Sequence, residues 1–188
     1  MRGLLLSPKY SVHHWRELTF ADESEWQRGI DIVENRIAER FVRWVDDLVP
    51  KKFAGFATTA LDCLLLETLY GFITGGSTKD TKKAYKTVLK DRPFLFDEQL
   101  ANAFYEGIRN GIIHDTETRN GWKIRMTKQP KIVESDGKGT YVLNRTMFHQ
   151  ALKSRFSDWI TGLRNGDTTL RANLRKRMDE LIAKHFAV

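Results

Sequence analysis

The chain has 188 residues, 41% of them apolar and 29% charged, which excludes a disordered polymer and fits a single globular domain over 1–188 with room for a buried core. A formal net charge of +7 and a sequence pI of about 9.5 favour a polyanionic partner, nucleic acid before membrane, because no basic amphipathic anchor stands out. The lone Cys63 excludes an intramolecular disulfide, Leu4-Leu5-Leu6 is too short for a signal peptide, and no transmembrane stretch is read, so the expected location is a reducing cytoplasm.

An irregular N-terminal segment precedes the first periodic stretch. There Trp26, Ile30, Val33, Ile37, Phe41, Trp44, Val45 and Leu48 recur at three- and four-residue steps, predicting a helix from about Asp22 to Val49 with Asp22 or Ser24 as its cap and Pro50 as its stop. A more uniformly apolar segment, about Phe53 to Ile73, predicts a central buried helix ending at Gly75-Gly76. Cys63 reads as a small buried hydrophobe within it.

Lys79 to Lys90 predicts a short polar helix with Lys79, Lys82, Lys83, Lys86 and Lys90 as a basic stripe. A solvated face is the commoner meaning of such a stripe, and an RNA-backbone track is the functional one. Asp97 then caps a helix in which Leu100, Phe104, Ile108 and Ile112 stack every four residues, broken at Asn120-Gly121. Strands are expected at Trp122–Thr127, Lys131–Glu134 and Thr140–Leu143, the last two joined in a small hairpin over Ser135–Gly139. Helices over about Thr146–Leu163 and Thr168–Phe186 complete the chain, and with no internal repeat the expected fold is mainly α: a helical bundle with an inserted β-hairpin and C-terminal helices.

The stretch Arg109-Asn110-Gly111-Ile112-Ile113-His114 carries the chemistry. A guanidinium offers a permanent two-pronged donor for phosphate oxygens, and an imidazole is the side chain best matched to proton transfer near neutrality. On a regular helix Asn110 and His114 share a face, while Arg109 starts about 140° from His114 and must converge through its length. Gly107 and Gly111 form a strip of small residues beside the imidazole, each costing about 1 kcal/mol relative to Ala in a helix. That strip implies the close approach of another helix or of an RNA backbone. Glu67 is an isolated acid in an apolar helix and needs either solvent or a cation, for which Arg109 is the natural choice. His13-His14 lack further metal ligands nearby, His149 reads as a surface or packing residue, and the five tryptophans read as packing. No metal or other cofactor is expected.

Phe104 to Asp115 resembles the signature of HEPN domains: an Arg, a polar residue directly after it, a short mostly apolar stretch and a His, late in a helix of an all-helical core. The resemblance is strongest over Phe53 to Thr118, within a core of about 22–118, and looser over the hairpin at about 122–143 and the helices at about 146–186. It implies a homodimer in which paired motifs form one cleft, acting as a metal-independent endoribonuclease of the kind used in toxins and phage defence, under the control of a regulatory protein. It assigns Arg109 to the scissile phosphate, His114 to proton transfer, Asn110 to orientation and Glu67 to support of the arginine. Thr116 stands where one subgroup carries a modified tyrosine. The alternative is a catalytically silent HEPN-like module that binds RNA or a protein.

Overall fold

A computed structural model of the chain describes residues 4–76 and 80–185. Lys79 and Phe186 lie outside the described residues. The protein is mainly helical, as the periodicity predicts, and divides into two compact units: Met1–Trp44 with Gly71–Ser77 and Phe156–Val188, and Val45–Tyr70 with Thr78–Arg155.

In the first unit, the segment read as irregular contains a short helix, α1 (Val12–Arg16), which buries Val12 and Trp15. The long helix α2 (Glu23–Ile37) starts where Asp22 accepts a hydrogen bond from the Glu25 amide, a side-chain cap that satisfies one of the orphan donors of the first turn. It buries Ile30, Val33 and Ile37, as its spacing predicts. At Ala38–Val42 the helix widens, the Arg43 amide reaching the Ala38 carbonyl, before α3 (Arg43–Leu48) resumes. One residue is inserted in the turn, so the apolar stripe shifts: Trp44, read as packing, is 52% exposed.

Charges fasten α2 to the C-terminal helices α7 (Arg145–Arg164) and α8 (Thr168–His185). Arg164 donates to Gln27, Asp31 and Glu34, and Arg171 grips both oxygens of Glu23. The Arg171 hydrogen bond, followed by one from Gln27, lowers the Glu23 carboxyl to about 2. Arg171 is therefore a fastening rather than a free basic group. Gly75 has a φ of 67° and ends the preceding helix where a Cβ would meet Asn173 Oδ1 at 2.6 Å, while Asn173 donates to the Ile73 carbonyl at 2.7 Å. Only glycine fits both demands.

The second unit holds most of α4 (Gly55–Thr74), together with α5 (Thr81–Lys90), α6 (Glu98–Phe104) and the start of α7. Asp80 and Asp97 cap α5 and α6 by accepting the Lys83 and Leu100 amides. The sequence places α4 in a uniformly buried position, but Phe56 and Leu64 on it are exposed. By length and composition α4 could cross a membrane, where the sequence was read as holding no such stretch; half of its apolar window is buried, and its acids Asp62 and Glu67 meet His149 and Arg109 inside the unit, so it serves here as a core helix. Phe104 is fully buried at the centre of an aromatic cluster, with the rings of Tyr85, Phe96, Trp122 and Phe148 centred 5.0–6.2 Å from its own.

Three strands, β1 (Trp122–Arg125), β2 (Val133–Ser135) and β3 (Tyr141–Asn144), form a sheet in the order β1-β3-β2. The expected hairpin is the antiparallel pair β2–β3, with Glu134 opposite Val142. To it the structure adds β1, parallel to β3 with Trp122 opposite Tyr141. Asn144 locks the end of β3: its amide donates to Thr127 and the Gln129 carbonyl, and its oxygen accepts the Met147 amide as α7 begins.

Candidate active site

Two elements of the second unit meet at the Arg-His motif. The helix begun by α6 does not stay α-helical: it widens at Tyr105–Arg109 and again at Gly111–Asp115, where the Asn110 amide reaches the Tyr105 carbonyl and the Thr116 amide reaches the Gly111 carbonyl. Each is an i to i+5 bond, the π-type turn that recurs at functional sites. This corrects the geometry expected of a regular helix. Residues five apart approach one face when the turn widens, and Arg109 Nη1 lies 3.4 Å from His114 Nε2 instead of starting on another side. Thr116 then turns left-handed, with φ 57°, and ends the helix.

The guanidinium is held on several sides. Its Nε donates to Glu67 Oε1 of α4 at 3.0 Å, its Nη1 donates to Asn110 Oδ1 at 3.2 Å, and its carbon sits 5.7 Å from the centre of the Tyr105 ring. Burial lowers the Arg109 pKa, but the hydrogen bond and charge of Glu67 more than offset this and leave it raised. A guanidinium can only donate. With its proton on Nδ1, a neutral His114 can accept that donor through the Nε2 that meets it, and His114 is exposed.

Behind this lies a layer the sequence reading passed over. Glu106 accepts from Asn110 Nδ2 at 3.0 Å and from Lys82 Nζ at 2.9 Å. The Lys82 hydrogen bond is the main cause that lowers the Glu106 carboxyl. Tyr105 shares a hydrogen bond with Thr81 at 2.8 Å. The signal for Glu106 was present, since it lies four residues before Asn110. Of the described lysines in the basic stripe, Lys82 is thus tied to Glu106 and Lys86 to Glu98, while Lys83 and Lys90 are exposed.

The glycine strip has a different partner from the one expected. A Cβ on Gly107 would collide with the Trp122 indole, and one on Gly111 with the Glu117 carbonyl. The chain folds back after the helix, with the Arg119 amide donating to the Gly107 carbonyl at 2.8 Å, and Arg119 pairs with Asp115. The molecule's own return segment fills the space assigned to a second helix or an RNA backbone.

Of the two readings of His149, surface or packing, the structure supports packing, with polar partners the sequence had not named. His149 is buried, with Nδ1 2.8 Å from Asp62 Oδ1 and Nε2 3.2 Å from Asp46 Oδ1, and Lys153 covers Asp46 through both carboxylate oxygens. Asp62, alone in an apolar run, was the available sign that a polar partner had to exist. Neither His13 nor His14 joins the Arg109 cluster: His13 pairs with Glu17 and His14 closes a capping box with Ser11.

No family model matches the chain, and comparison with curated proteins and with solved structures finds no match.

Proposed function

We propose that the protein is a metal-independent endoribonuclease that cleaves RNA by attack of the 2′-hydroxyl, working as a homodimer. The observation that carries this reading is the meeting of the anchored Arg109 guanidinium with Nε2 of the exposed His114 at 3.4 Å.

In this reading a phosphate oxygen takes up the free donors of Arg109, where a fixed positive charge stabilises the extra negative charge of the transition state. The 2′-oxygen forms its bond to phosphorus as the bond to the 5′-oxygen breaks. His114 Nε2 exchanges its contact with Arg109 for the 2′-hydroxyl, whose proton it accepts, and the partner's His114 in its protonated form supplies one to the departing 5′-oxygen. The products are a 2′,3′-cyclic phosphate and a 5′-hydroxyl. Glu67 and Asn110 are positioning residues for Arg109. A second copy is supported by apolar side chains at the rim: Leu64, three residues before Glu67, is 43% exposed, and Ile113, next to His114, is 42% exposed.

The test is cleavage of a mixed RNA pool in EDTA by wild type and His114→Ala, with product ends identified. Wild-type cleavage leaving cyclic phosphates, reduced about 10²- to 10⁴-fold in the variant, is the expected result. Equal cleavage by both proteins overturns the assignment of His114. An uncut pool with folded, dimeric protein favours the silent RNA-binding or protein-binding module instead.

A further inference from the structure

We propose that the groove between the 51–56 segment and β1 is a base-stacking platform for single-stranded RNA, with Phe53 as its principal ring and Lys52 and Arg125 as its phosphate contacts. The choice of RNA rests on the ribonuclease reading above; the site itself rests on the following geometry.

Phe53 is 90% exposed, the most exposed of the large apolar side chains described. Full burial of such a ring is worth roughly 1.5–3 kcal/mol, yet the backbone beneath it is fastened so as to hold the ring out. Arg145, itself buried, donates to the Val49 and Lys51 carbonyls at 3.0 and 2.5 Å. The Lys51 amide donates to the Leu48 carbonyl, and the Ala54 amide to that of Lys51. Gly55 fits against β1 so closely that a Cβ would stand 3.2 Å from Ile124 Cγ2 and 3.3 Å from Arg145 Nη1. The result is a groove of about 460 Å³, floored by Gly55, Ile124 and Arg145 and walled by Lys52, Phe53, Phe56, Arg125 and Met126.

Its chemistry is one-sided. Every titratable residue in the lining is a cation, with no carboxylate among them, and Lys51, Lys123 and Lys128 are exposed on the adjoining segments. Lys52 Nζ lies 5.3 Å from the centre of the Phe53 ring. A single strand of RNA presents a flat base and an anion in every repeat, the complement of a ring beside a cation. A duplex hides its base faces and offers phosphates alone. The groove is also joined to the Arg-His site by one strand: Trp122, at the start of β1, packs on Gly107, and Arg125, at its end, lines the groove. The intervening strand is about 10 Å long.

The experiment is equilibrium binding of fluorescently labelled poly(U) in the non-cutting His114→Ala background, comparing that protein with versions that also carry Phe53→Ala, Phe53→Trp or Leu95→Ala. Phe53→Ala should weaken binding about 5- to 150-fold, the loss of one stacked base. Phe53→Trp should retain affinity, and Leu95→Ala, at an exposed leucine outside the groove, should leave it unchanged. Duplex RNA should be insensitive to Phe53→Ala. Parental affinity in Phe53→Ala overturns the proposal, as does a Phe53-dependent interaction with anionic vesicles or an acidic peptide in place of poly(U). Because binding is read without cleavage, Phe53-dependent binding by a wild-type protein that never cuts sinks only the nuclease reading, and His114-dependent cleavage with no Phe53 effect sinks only the groove.

Discussion

Glu67 and Arg109 form an ion pair across two helices at 3.0 Å, with side chains only 17% and 15% exposed. An acid in the apolar face of α4 is tolerable because the guanidinium compensates it, and the guanidinium is aimed because the acid holds its Nε. Glu67→Ala should therefore lower both stability, by about 1–3 kcal/mol, and RNA cleavage, whereas Glu67→Gln keeps an acceptor and should lose less of each. Urea denaturation and cleavage rates on the same preparations decide this. Parental values for Glu67→Ala in both assays would remove the pair from the account.

Arg109→Lys keeps the charge but replaces a planar fork with a point donor. One ammonium cannot reproduce the directions of the contacts to Glu67, Asn110 and His114 while also meeting a phosphate. Cleavage should fall about 10²- to 10³-fold, the scale for losing a transition-state donor, with a loss of stability smaller than that of Glu67→Ala because the ammonium still compensates the acid. Retained cleavage in the lysine variant would show that charge alone suffices.

Gly107→Ala sets two effects against each other. Helix propensity favours alanine by about 1 kcal/mol, but the new methyl collides with the Trp122 ring, and overpacking of this kind costs typically 1–3 kcal/mol. The clash should win, giving a net loss of stability and an altered near-ultraviolet spectrum from the displaced indole. A stabilised Gly107→Ala protein would mean that β1 does not pack there.

The buried Asp62, faced by His149 with Asp46 and Lys153 beyond it, gives a pH dependence of definite sign. Desolvation, opposed by the His149 hydrogen bond, pushes the Asp62 carboxyl up from its ordinary 3.8 to about 6. The folded state thus binds more protons than the unfolded chain within that window. The stability this group contributes is fully present below the lower value and is lost as pH rises through the upper one. Asp62→Asn does not titrate, so its stability relative to the parent should rise across the window, by on the order of 3 kcal/mol. Urea midpoints measured through the pH series check this; a constant difference between the two proteins would refute it.

The helices were largely legible in the sequence because burial on one face imposes a period, and Asp22 and Asp97 announced where two of them start. The Glu67–Arg109 pair was legible for a related reason, since an isolated acid in an apolar run demands compensation. What escaped were relationships set by distant chain. No residue pattern marks the widened turns that align Arg109 with His114, and nothing local says that Trp122 will occupy Gly107. The parallel pairing of β1 with β3 depends on segments separated by a hairpin, and Asp46, Asp62 and His149 come together from three helices. Phe53 looked like the first residue of a buried helix because an apolar side chain reports its hydrophobicity and not its direction.

Each widened turn between Tyr105 and Asp115 holds one residue more than a regular turn. Were either turn to close into a regular one with every residue kept, everything beyond it would swing by about 100°. Such a chain would still contain Glu67, Arg109 and His114 in the right order, with the imidazole carried away from the guanidinium. Deleting one residue between Arg109 and His114 would instead let the turn close with the two side chains still on one face. The meeting of Arg109 and His114 is thus encoded in the width of a turn as much as in residue identity.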